Sequence, residues 1–248
     1  MSVIYILWIR QLKRYFRSKT RIVGALGQPM LFLVALGYGL GPVFERAGEG
    51  DYVQFLVPGI IAMSILFTSM FNGIEIIWDR QFGFLKETLV APVSRVRIML
   101  GRTLGGATVA ILQGMMILGI SLLIGFRFES VSGLPVALLF MILIATLFTA
   151  LGTAIASLLE DMHGFQLIMN FLVMPLFFLS GALFPIQNLP PALGTIVQFN
   201  PLSYGVDGLR GALLGTYDIG FWTSFNVLAL CMVFLVIVGA YLFSKIEV

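Results

Sequence analysis

Runs of about 20 apolar residues recur along this chain and constrain its fold more than any other feature. A helix of that length crosses the roughly 30 Å hydrocarbon core of a bilayer. The runs lack the alternation of barrel strands, and only helices and closed barrels satisfy their backbone hydrogen bonds in lipid. We therefore predict an all-α polytopic membrane protein with six transmembrane helices at about 22–43, 53–78, 98–126, 134–159, 165–184 and 221–243.

The composition agrees with lipid as the solvent. Of the 248 residues, 59% are hydrophobic and 11% are charged, whereas soluble proteins are roughly 25% charged. No stretch is polar enough for a separate soluble domain, so we interpret residues 1–248 as a single transmembrane domain. The single cysteine and single histidine exclude an intrachain disulfide and a Cys/His metal cluster. We expect no metal site and no nucleic-acid partner.

The distribution of lysine and arginine predicts the orientation in the cell (inner or cytoplasmic) membrane, because cytoplasmic loops carry an excess of both residues. Three positions fall on the opposite side: Arg46, Arg127 and Arg210. Many more fall on one side, which we predict to be cytoplasmic together with both termini: Arg10, Lys13, Arg14, Arg17, Lys19, Arg21, Arg80, Lys86, Arg95, Arg97, Arg102 and Lys245.

Residues 2–19 have the periodicity of an amphipathic helix lying in the membrane interface. One face carries Ile4, Tyr5, Trp8, Leu12, Tyr15 and Phe16, and the opposite face carries Arg10, Lys13, Arg14 and Arg17. We expect these cations to meet anionic lipid headgroups. Contact with a partner protein gives the same pattern, so both interpretations stay open.

Charges crowd into residues 75–102, between two apolar runs, and this stretch is predicted to leave the membrane and meet another protein. Glu75 and Asp79 lie about one helical turn apart at the start of it. Carboxylates near a membrane are costly unless they are paired or hydrated. They are candidates for the inner mouth of a pathway, or for a gate with Arg80 and Arg102.

Residues 178–215 are too broken by proline and glycine for one membrane helix, and too apolar for an ordinary solvated loop. Irregular backbone at membrane depth needs shielding by protein or by a water-filled cavity. We therefore predict an extracellular re-entrant hairpin at about 185–200, before the sixth helix. Asp207 and Arg210, three residues apart, can pair on a helix face or simply cap and anchor the helix. The glycine pairs Gly101/Gly105 and Gly211/Gly215 predict close helix packing.

No G-x-x-x-x-G-K-[ST] phosphate loop occurs in the chain. Two runs, FGFLKETLVAPVSRVRIMLGR and FLSGALFPIQNLP…NPLSYGVDGLRGALLG, resemble the two signatures of ABC-2 type transporter permeases, and look like those of drug-resistance and nodulation-type export permeases. The outer signature falls on Pro185, Asn200, Pro201, Tyr204, Asp207 and Arg210. The resemblance implies a permease subunit without an ATPase site or cofactor of its own. It also implies a homodimer paired with two cytosolic ABC ATPases, which bind ATP and magnesium.

In that family the loop between the second and third crossings is a coupling helix that docks on the ATPase. Here Phe82, Phe84 and Leu85 are its expected apolar anchors, with Lys86 and Glu87 pairing at the rim. Arg95 and Arg97 either contact the partner or only enforce topology.

Aromatic residues are the pathway candidates, namely Phe67, Phe71, Phe148, Phe177 and Phe178. They favour export of an amphipathic drug-like, lipid or lipid-linked cargo, as in multidrug resistance, although core packing explains aromatic residues equally well. The competing class is a non-transport polytopic membrane protein, such as an assembly factor or a membrane enzyme.

Overall fold

The computed structural model describes residues 2–47, 50–90, 92–186 and 190–246, and all regular secondary structure in these ranges is helical. A short 3-10 helix, Val131–Gly133, precedes the seventh α-helix. The α-helices in chain order are α1 (Val3–Arg17), α2 (Lys19–Arg46), α3 (Tyr52–Phe71), α4 (Ile74–Gln81), α5 (Phe84–Val90), α6 (Arg95–Ile124), α7 (Leu134–Leu158), α8 (Met162–Phe178), α9 (Pro191–Phe199), α10 (Pro201–Leu214) and α11 (Phe221–Ser244). The prediction of an all-helical membrane protein is confirmed.

Within the described ranges, five helices are long and apolar enough to cross a membrane. They are α2, α3 continued by α4, α6, α7 with its preceding turn, and α11. The predicted crossings at 22–43, 98–126, 134–159 and 221–243 match α2, α6, α7 and α11 to within a few residues. Helix α8 is apolar but has only 17 residues. It ends at Phe178, before the predicted boundary at 184, because the chain turns at Gly181 with φ +74°.

The expected second crossing at 53–78 is interrupted between α3 and α4, at Asn72 and Gly73. A Cβ atom at Gly73 would collide with the backbone carbonyl of Gly152 on α7, and one at Gly152 would lie 2.5 Å from the Met70 carbonyl oxygen. Small residues on both sides therefore let the two backbones touch. The interruption places α4 as a separate short helix at the end of α3.

The core is built around α3 and α7. In the most apolar stretch of α3–α4, 72% of the residues are buried, against 17% in α2 and in α11. Helix α10 is too short to span a bilayer, yet it packs against α3, α7 and α11 and is buried along most of its length. Helices α2 and α11 lie at the periphery and expose Val23, Leu31, Tyr38, Leu230, Phe234 and Ile237.

The broken segment before α11 folds into α9 and α10, which meet at Asn200. The Asn200 side chain accepts the backbone N–H of Leu202 at 3.0 Å and donates to the Leu176 carbonyl of α8 at 2.7 Å. This side chain fixes the corner between the two helices. Part of the predicted hairpin at 185–200, residues 187–189, lies outside the described residues, and its re-entrant character stays a prediction.

Candidate functional site

Six charged residues from four helices meet around α4, and we call them the α4 charge cluster: Arg10 and Arg14 of α1, Arg21 of α2, Glu75 and Asp79 of α4, and Arg102 of α6. Both carboxylates are buried, Glu75 with 1% and Asp79 with 6% of its surface exposed. Removing an ionised carboxylate from water is costly unless it is paired and hydrogen-bonded. Four guanidinium groups supply the compensation here.

Asp79 holds two arginines from different helices. Arg10 donates from both terminal nitrogens, at 3.1 and 3.2 Å, and Arg102 donates from Nη2 at 2.5 Å. Two-pronged arginine–carboxylate contacts are among the strongest polar interactions in proteins. Arg102 is 4% exposed, and its Nε and Nη1 atoms have no hydrogen-bond partner within the described ranges. Asp79 therefore ties α1 to α6.

Glu75 is also shared by two arginines. Arg21 donates to Oε1 at 2.6 Å and also to the Asn72 side chain at 3.2 Å. Arg14 lies 3.5 Å from Oε2, an atom that receives no hydrogen bond in the described part of the chain. Glu75 thus connects α4 to the end of α1 and the start of α2.

Helix α1 rests on α6 through a stripe formed by Leu7, Gln11 and Tyr15. A Cβ atom at Gly101 would lie 3.0 Å from Leu7, and one at Gly105 would lie 2.7 Å from Gln11. These glycines therefore let α1 approach closely, as their spacing predicted. The Tyr15 hydroxyl donates to Gln113 Oε1 at 2.5 Å. Burial raises the pKa of Tyr15, against the opposing charge of Arg21, so the hydroxyl stays a donor.

One expectation for α1 was wrong. Arg10 and Arg14, expected at lipid headgroups, instead turn to Asp79 and Glu75. Tyr5 and Phe16, placed on the predicted apolar face, are exposed, which leaves them available to lipid, and α1 contacts α6 through the neighbouring stripe of Leu7, Gln11 and Tyr15. The polar contact from Trp8 Nε1 to Thr108 Oγ1, at 3.0 Å, adds to the attachment.

The predicted coupling residues divide into two groups. Phe84 packs under Arg10, whose guanidinium carbon lies 4.1 Å from the ring centroid, and Leu85 is fully buried. Phe82 is 82% exposed, and Glu87 is also exposed. The side chain of Lys86 lies outside the described residues.

Arg95 and Arg97 also differ from each other. Arg95 donates to the backbone carbonyls of Ser244 and Ile246, at 2.8 and 2.6 Å, and so holds the end of α11. Arg97 is exposed. Arg95 therefore has a structural role that neither of its two sequence interpretations included.

Of the gate partners considered for α4, the structure brings Arg102 to Asp79 but directs Arg80 elsewhere. Arg80 donates to the Leu159 carbonyl at 3.3 Å and lies 4.0 Å from Glu160, at the turn between α7 and α8. Helix geometry explains the difference, because neighbouring residues on α4 point to different sides.

The predicted pathway aromatics lie in two environments. Phe67 and Phe71 stack with ring centroids 6.3 Å apart, and Phe67 also meets Phe177 edge-to-face at 6.5 Å. Phe178 neighbours Phe177 and is 44% exposed. Phe148 is fully buried in the core, where its contribution is packing.

A second group, which we call the α10 charge cluster, consists of Asp207, Arg210 and Asp218. Asp207 accepts the backbone N–H groups of residues 218, 219 and 220, at 2.6, 3.1 and 3.2 Å, and the Ser224 hydroxyl at 2.7 Å. It therefore holds the turn that leads into α11, and through Ser224 the first turn of that helix. Arg210 pairs with Asp218 at 3.3 Å instead of the expected Asp207.

Arg210 also reaches two other elements. It donates to the Gly181 carbonyl at 2.9 Å, and its guanidinium carbon lies 4.0 Å from the Phe55 ring centroid on α3. Tyr204 donates to the Gln198 carbonyl at 2.8 Å and so joins α10 to α9. The residues of the outer signature thus fasten α9, α10 and the turn at Gly181 together, while Pro185, half-buried, lies beyond that turn.

The described residues contain no group of three or more His, Cys, Asp or Glu side chains placed to hold a metal ion. The two charge clusters pair carboxylates with arginines from other elements.

A family model described as ABC-2 type transporter matches residues 2–214, a range that covers α1 to α10 and the whole α4 charge cluster. The chain belongs to the ABC-2 type transporter family. The resemblance seen in the two motifs is confirmed. The chain is a multi-pass membrane transport permease, and permeases of this family are transport subunits rather than enzymes.

Individual relatives agree with this family. Nodulation protein J of Rhizobium leguminosarum bv. trifolii is 31% identical over 198 residues, covering 78% of this chain and 74% of the relative. The inner membrane transport permease YadH of Escherichia coli K12 is 28% identical over 229 residues, covering 92% of this chain and 89% of the relative. The putative transport permease ycf38 of Cyanophora paradoxa is 31% identical over 207 residues, covering 81% of this chain and 69% of the relative.

Proposed function

We propose that this permease is the membrane subunit of an ATP-driven exporter, acting as a homodimer with two separate cytosolic ABC ATPases that bind ATP and magnesium. The ABC-2 family supports a division of labour between permease and ATPase. The exposed Phe82 and Glu87 on and beside α5 support a docking surface, since both are available to a partner.

The observation that carries the proposal is the double contact of Arg10. Its guanidinium lies on the Phe84 ring of α5 and at the same time binds Asp79 at the end of α4. Asp79 in turn binds Arg102 of α6. If an ATPase displaces α5, Arg10 therefore transmits the movement to α1 and α4, and Asp79 transmits it to α6.

Transport requires the two ends of the pathway to open in alternation. An ATPase shifts such an equilibrium only when it binds one conformation better than the other. The α4 charge cluster supports such a two-state element because Asp79 and Glu75 each have two cationic partners from different helices. We propose that ATP binding changes which partners they keep.

In this arrangement both termini and α5 are cytoplasmic, and α8 is the fifth of six crossings. The segment from 185 to 200 is the re-entrant hairpin, and it closes the outer exit. The pathway passes Phe67, Phe71 and Phe178, beside Glu75 and Asp79, and carries an amphipathic cargo. The surplus of lysine and arginine at the α1 and α5 end supports this orientation.

Co-purification with an ATPase tests the partner. The ATPase should bind the wild-type permease, and its hydrolysis should depend on the permease. Glu87→Lys should uncouple hydrolysis from export while membrane insertion is unchanged, because it reverses a charge on the exposed face of α5. Glu45→Lys, an exposed charge at the other end of α2, is the matched control. Absence of any associated ATPase would favour the non-transport class instead.

Thiol labelling tests the orientation. With Cys231 replaced by alanine, a cysteine introduced as Ser94→Cys should react with an impermeant reagent only from the cytoplasmic side. The exposed change Val131→Cys, at the opposite end of the molecule, should react only from outside. The reverse pattern would overturn the proposed topology.

A further inference from the structure

Three cavities share lining residues and form one continuous surface, which we call the α1–α3 track. The first, of about 1080 Å³, follows α1. The second, of about 510 Å³, shares Arg14, Ser18 and Thr20 with the first. The third, of about 250 Å³, lies between α2 and α3 and shares Arg21 and Phe71 with the second. A single extended ligand can therefore contact α1, α2 and α3 together.

The chemistry of the track changes from one end to the other. The α1 end carries five cations beside the apolar Tyr5, Ile6 and Ile9, and none of the described residues lining it is acidic: Arg10, Lys13, Arg14, Arg17 and Lys19. The α3 end has one cation among its described lining residues, Arg21, beside apolar groups that include Pro29, Met63, Phe67 and Phe71. One end therefore suits an anion and the other suits an apolar chain.

Three of these cations are not paired with any carboxylate that the structure describes. Arg10 and Arg14 are bound to Asp79 and Glu75. Lys13, Arg17 and Lys19 are exposed, and the described residues place no carboxylate within the 4.0 Å of an ion pair from them. The α4 charge cluster beside them is itself positive, since its four arginines face two carboxylates. The electrostatic field at this end favours a negative ligand.

The α3 end of the track also contains a buried hydroxyl. Ser64 lines the third cavity, is 1% exposed and finds no hydrogen-bond partner among the described residues. A buried polar group without a partner is destabilising, and native structures rarely leave one. A ligand in the cavity that carries a polar atom along its chain would satisfy it.

We infer that the α1–α3 track binds an amphiphile with an anionic headgroup. The head lies against Lys13, Arg17 and Lys19, and the chain, apolar apart from a polar atom that reaches Ser64, lies between α2 and α3 along Phe67 and Phe71. The inference rests on the proposed function, because it assigns the charge of the cargo that the permease would export. A cationic amphiphile is repelled at the α1 end, and a neutral one gains only the apolar contacts.

Binding of a spin-labelled alkyl phosphate tests the inference, with the permease in phosphatidylcholine nanodiscs and no ATPase present. Trp78 lines the second cavity and reports binding by fluorescence quenching, after Trp8→Phe and Trp222→Phe remove the other two tryptophans. The alkyl phosphate should bind at least tenfold more tightly than an alkyl trimethylammonium or an alkyl maltoside of equal chain length. Equal affinity for the three probes would overturn the inference.

Two sets of variants separate the head from the tail. Lys13→Gln, Arg17→Gln and Lys19→Gln together should weaken alkyl phosphate binding about 100-fold, at roughly fivefold for each cation. Arg46→Gln, Arg127→Gln and Lys245→Gln remove the same charge at exposed positions outside the track and should leave binding unchanged. An equal loss of affinity in both triple variants would show that only the net charge of the protein matters, and it would contradict the assignment of Lys13, Arg17 and Lys19 as the headgroup site.

The tail variant is Gly24→Leu. Gly24 lines the third cavity, and a Cβ atom there meets nothing within 4 Å, so a larger side chain can be introduced at the cavity wall. Binding should fall by at least tenfold. Gly39→Leu, equally unobstructed on the same helix and outside the track, should bind as wild type. A normal affinity in Gly24→Leu would remove the α2–α3 cavity from the site.

The source of the anion is decided by adding phosphatidylglycerol to the nanodiscs. Displacement of the probe identifies a resident lipid headgroup, whereas undiminished binding identifies an exported amphiphile. Inorganic phosphate alone should not displace the probe, because it lacks the chain. If the alkyl phosphate does not bind but an ATPase still co-purifies, the anionic site is rejected and the proposed exporter is retained. If the alkyl phosphate binds but no ATPase associates with the permease, the site is retained and the exporter is rejected.

Discussion

The α4 and α10 charge clusters both bury carboxylates and arginines, but they are built in different ways. The α4 cluster joins side chains to side chains across four helices. In its contacts of α4 with α1 and α2, the paired residues are 54 to 69 positions apart in the sequence. In the α10 cluster, Asp207 mostly accepts backbone N–H groups 11 to 13 positions away. Backbone donors are fixed by the fold, whereas side-chain donors can change rotamer. The comparison indicates a rigid corner at α10 and an exchangeable contact at α4.

Asp207→Ala should have the largest effect on stability. It leaves three backbone N–H groups and the Ser224 hydroxyl without their acceptor, and removing one member of a buried charged network costs about 3–5 kcal/mol. Thermal unfolding of the detergent-solubilised permease should show a large fall in Tm. Glu129→Ala, an exposed carboxylate, is the control. A loss below about 1 kcal/mol, the size of one ordinary hydrogen bond, would contradict the rigid corner.

Asp79→Leu should cost about 3 kcal/mol, because it leaves Arg102 buried without a carboxylate. Adding Arg102→Met should restore most of the loss, since an apolar pair often replaces a buried ion pair without penalty. A double-mutant cycle on unfolding free energy measures this coupling. The restored double variant should still fail to couple ATP hydrolysis to export. Full transport by that variant would show that the cluster only stabilises the fold.

Glu75→Gln should have a moderate effect of about 1 kcal/mol, because Arg14 and Arg21 are each one-third exposed and remain partly hydrated. Permease-dependent hydrolysis should change more than Tm, because the link from α4 to α2 is weakened. The control is Asn72→Ala, which removes the other acceptor of Arg21. Identical hydrolysis in wild type and Glu75→Gln would remove Glu75 from the exchangeable contact.

Phe84→Leu should have the smallest effect on stability, at about 0.5–1 kcal/mol for the loss of one cation–π contact. Coupling between hydrolysis and export should nevertheless decrease, because Phe84 is the contact between α5 and Arg10. Phe84→Tyr keeps the ring and should behave as wild type. If both variants couple normally, the path from α5 to Asp79 does not pass through this ring.

Much of the fold follows from the sequence because lipid makes strong demands on it. The lengths of the apolar runs predicted α2, α6, α7 and α11, since a span has a required length. The interruption at Asn72 and Gly73 was not predicted, and neither was the close approach of Gly73 to Gly152, 79 positions later in the chain. The hydrophobicity of a local stretch of sequence gives no information about such a contact.

The charged residues of the candidate site were predicted from the sequence, but their partners were not, because those partners also depend on contacts between distant parts of the chain. Glu75, Asp79, Asp207 and Arg210 attract attention as charges in an apolar chain, and all four prove to be buried. Their partners did not follow from sequence spacing. Asp207 and Arg210 lie three apart, yet each selects a partner outside α10. The arginines of α1 look like membrane anchors in the sequence, and only the packing of α1 on α6 turns Arg10 toward Asp79.

Because of the contact of Arg95 with the end of α11, a spin label on that end can report distances from the first turn of α6. Because Arg95 holds the Ser244 and Ile246 carbonyls, a nitroxide attached at Lys245 moves with the first turn of α6. A second nitroxide at Tyr5, exposed on α1, moves with the element that Asp79 ties to α4. Pulsed spin-resonance distances between the two labels would then follow the opening of α1 from α6 during the ATP cycle.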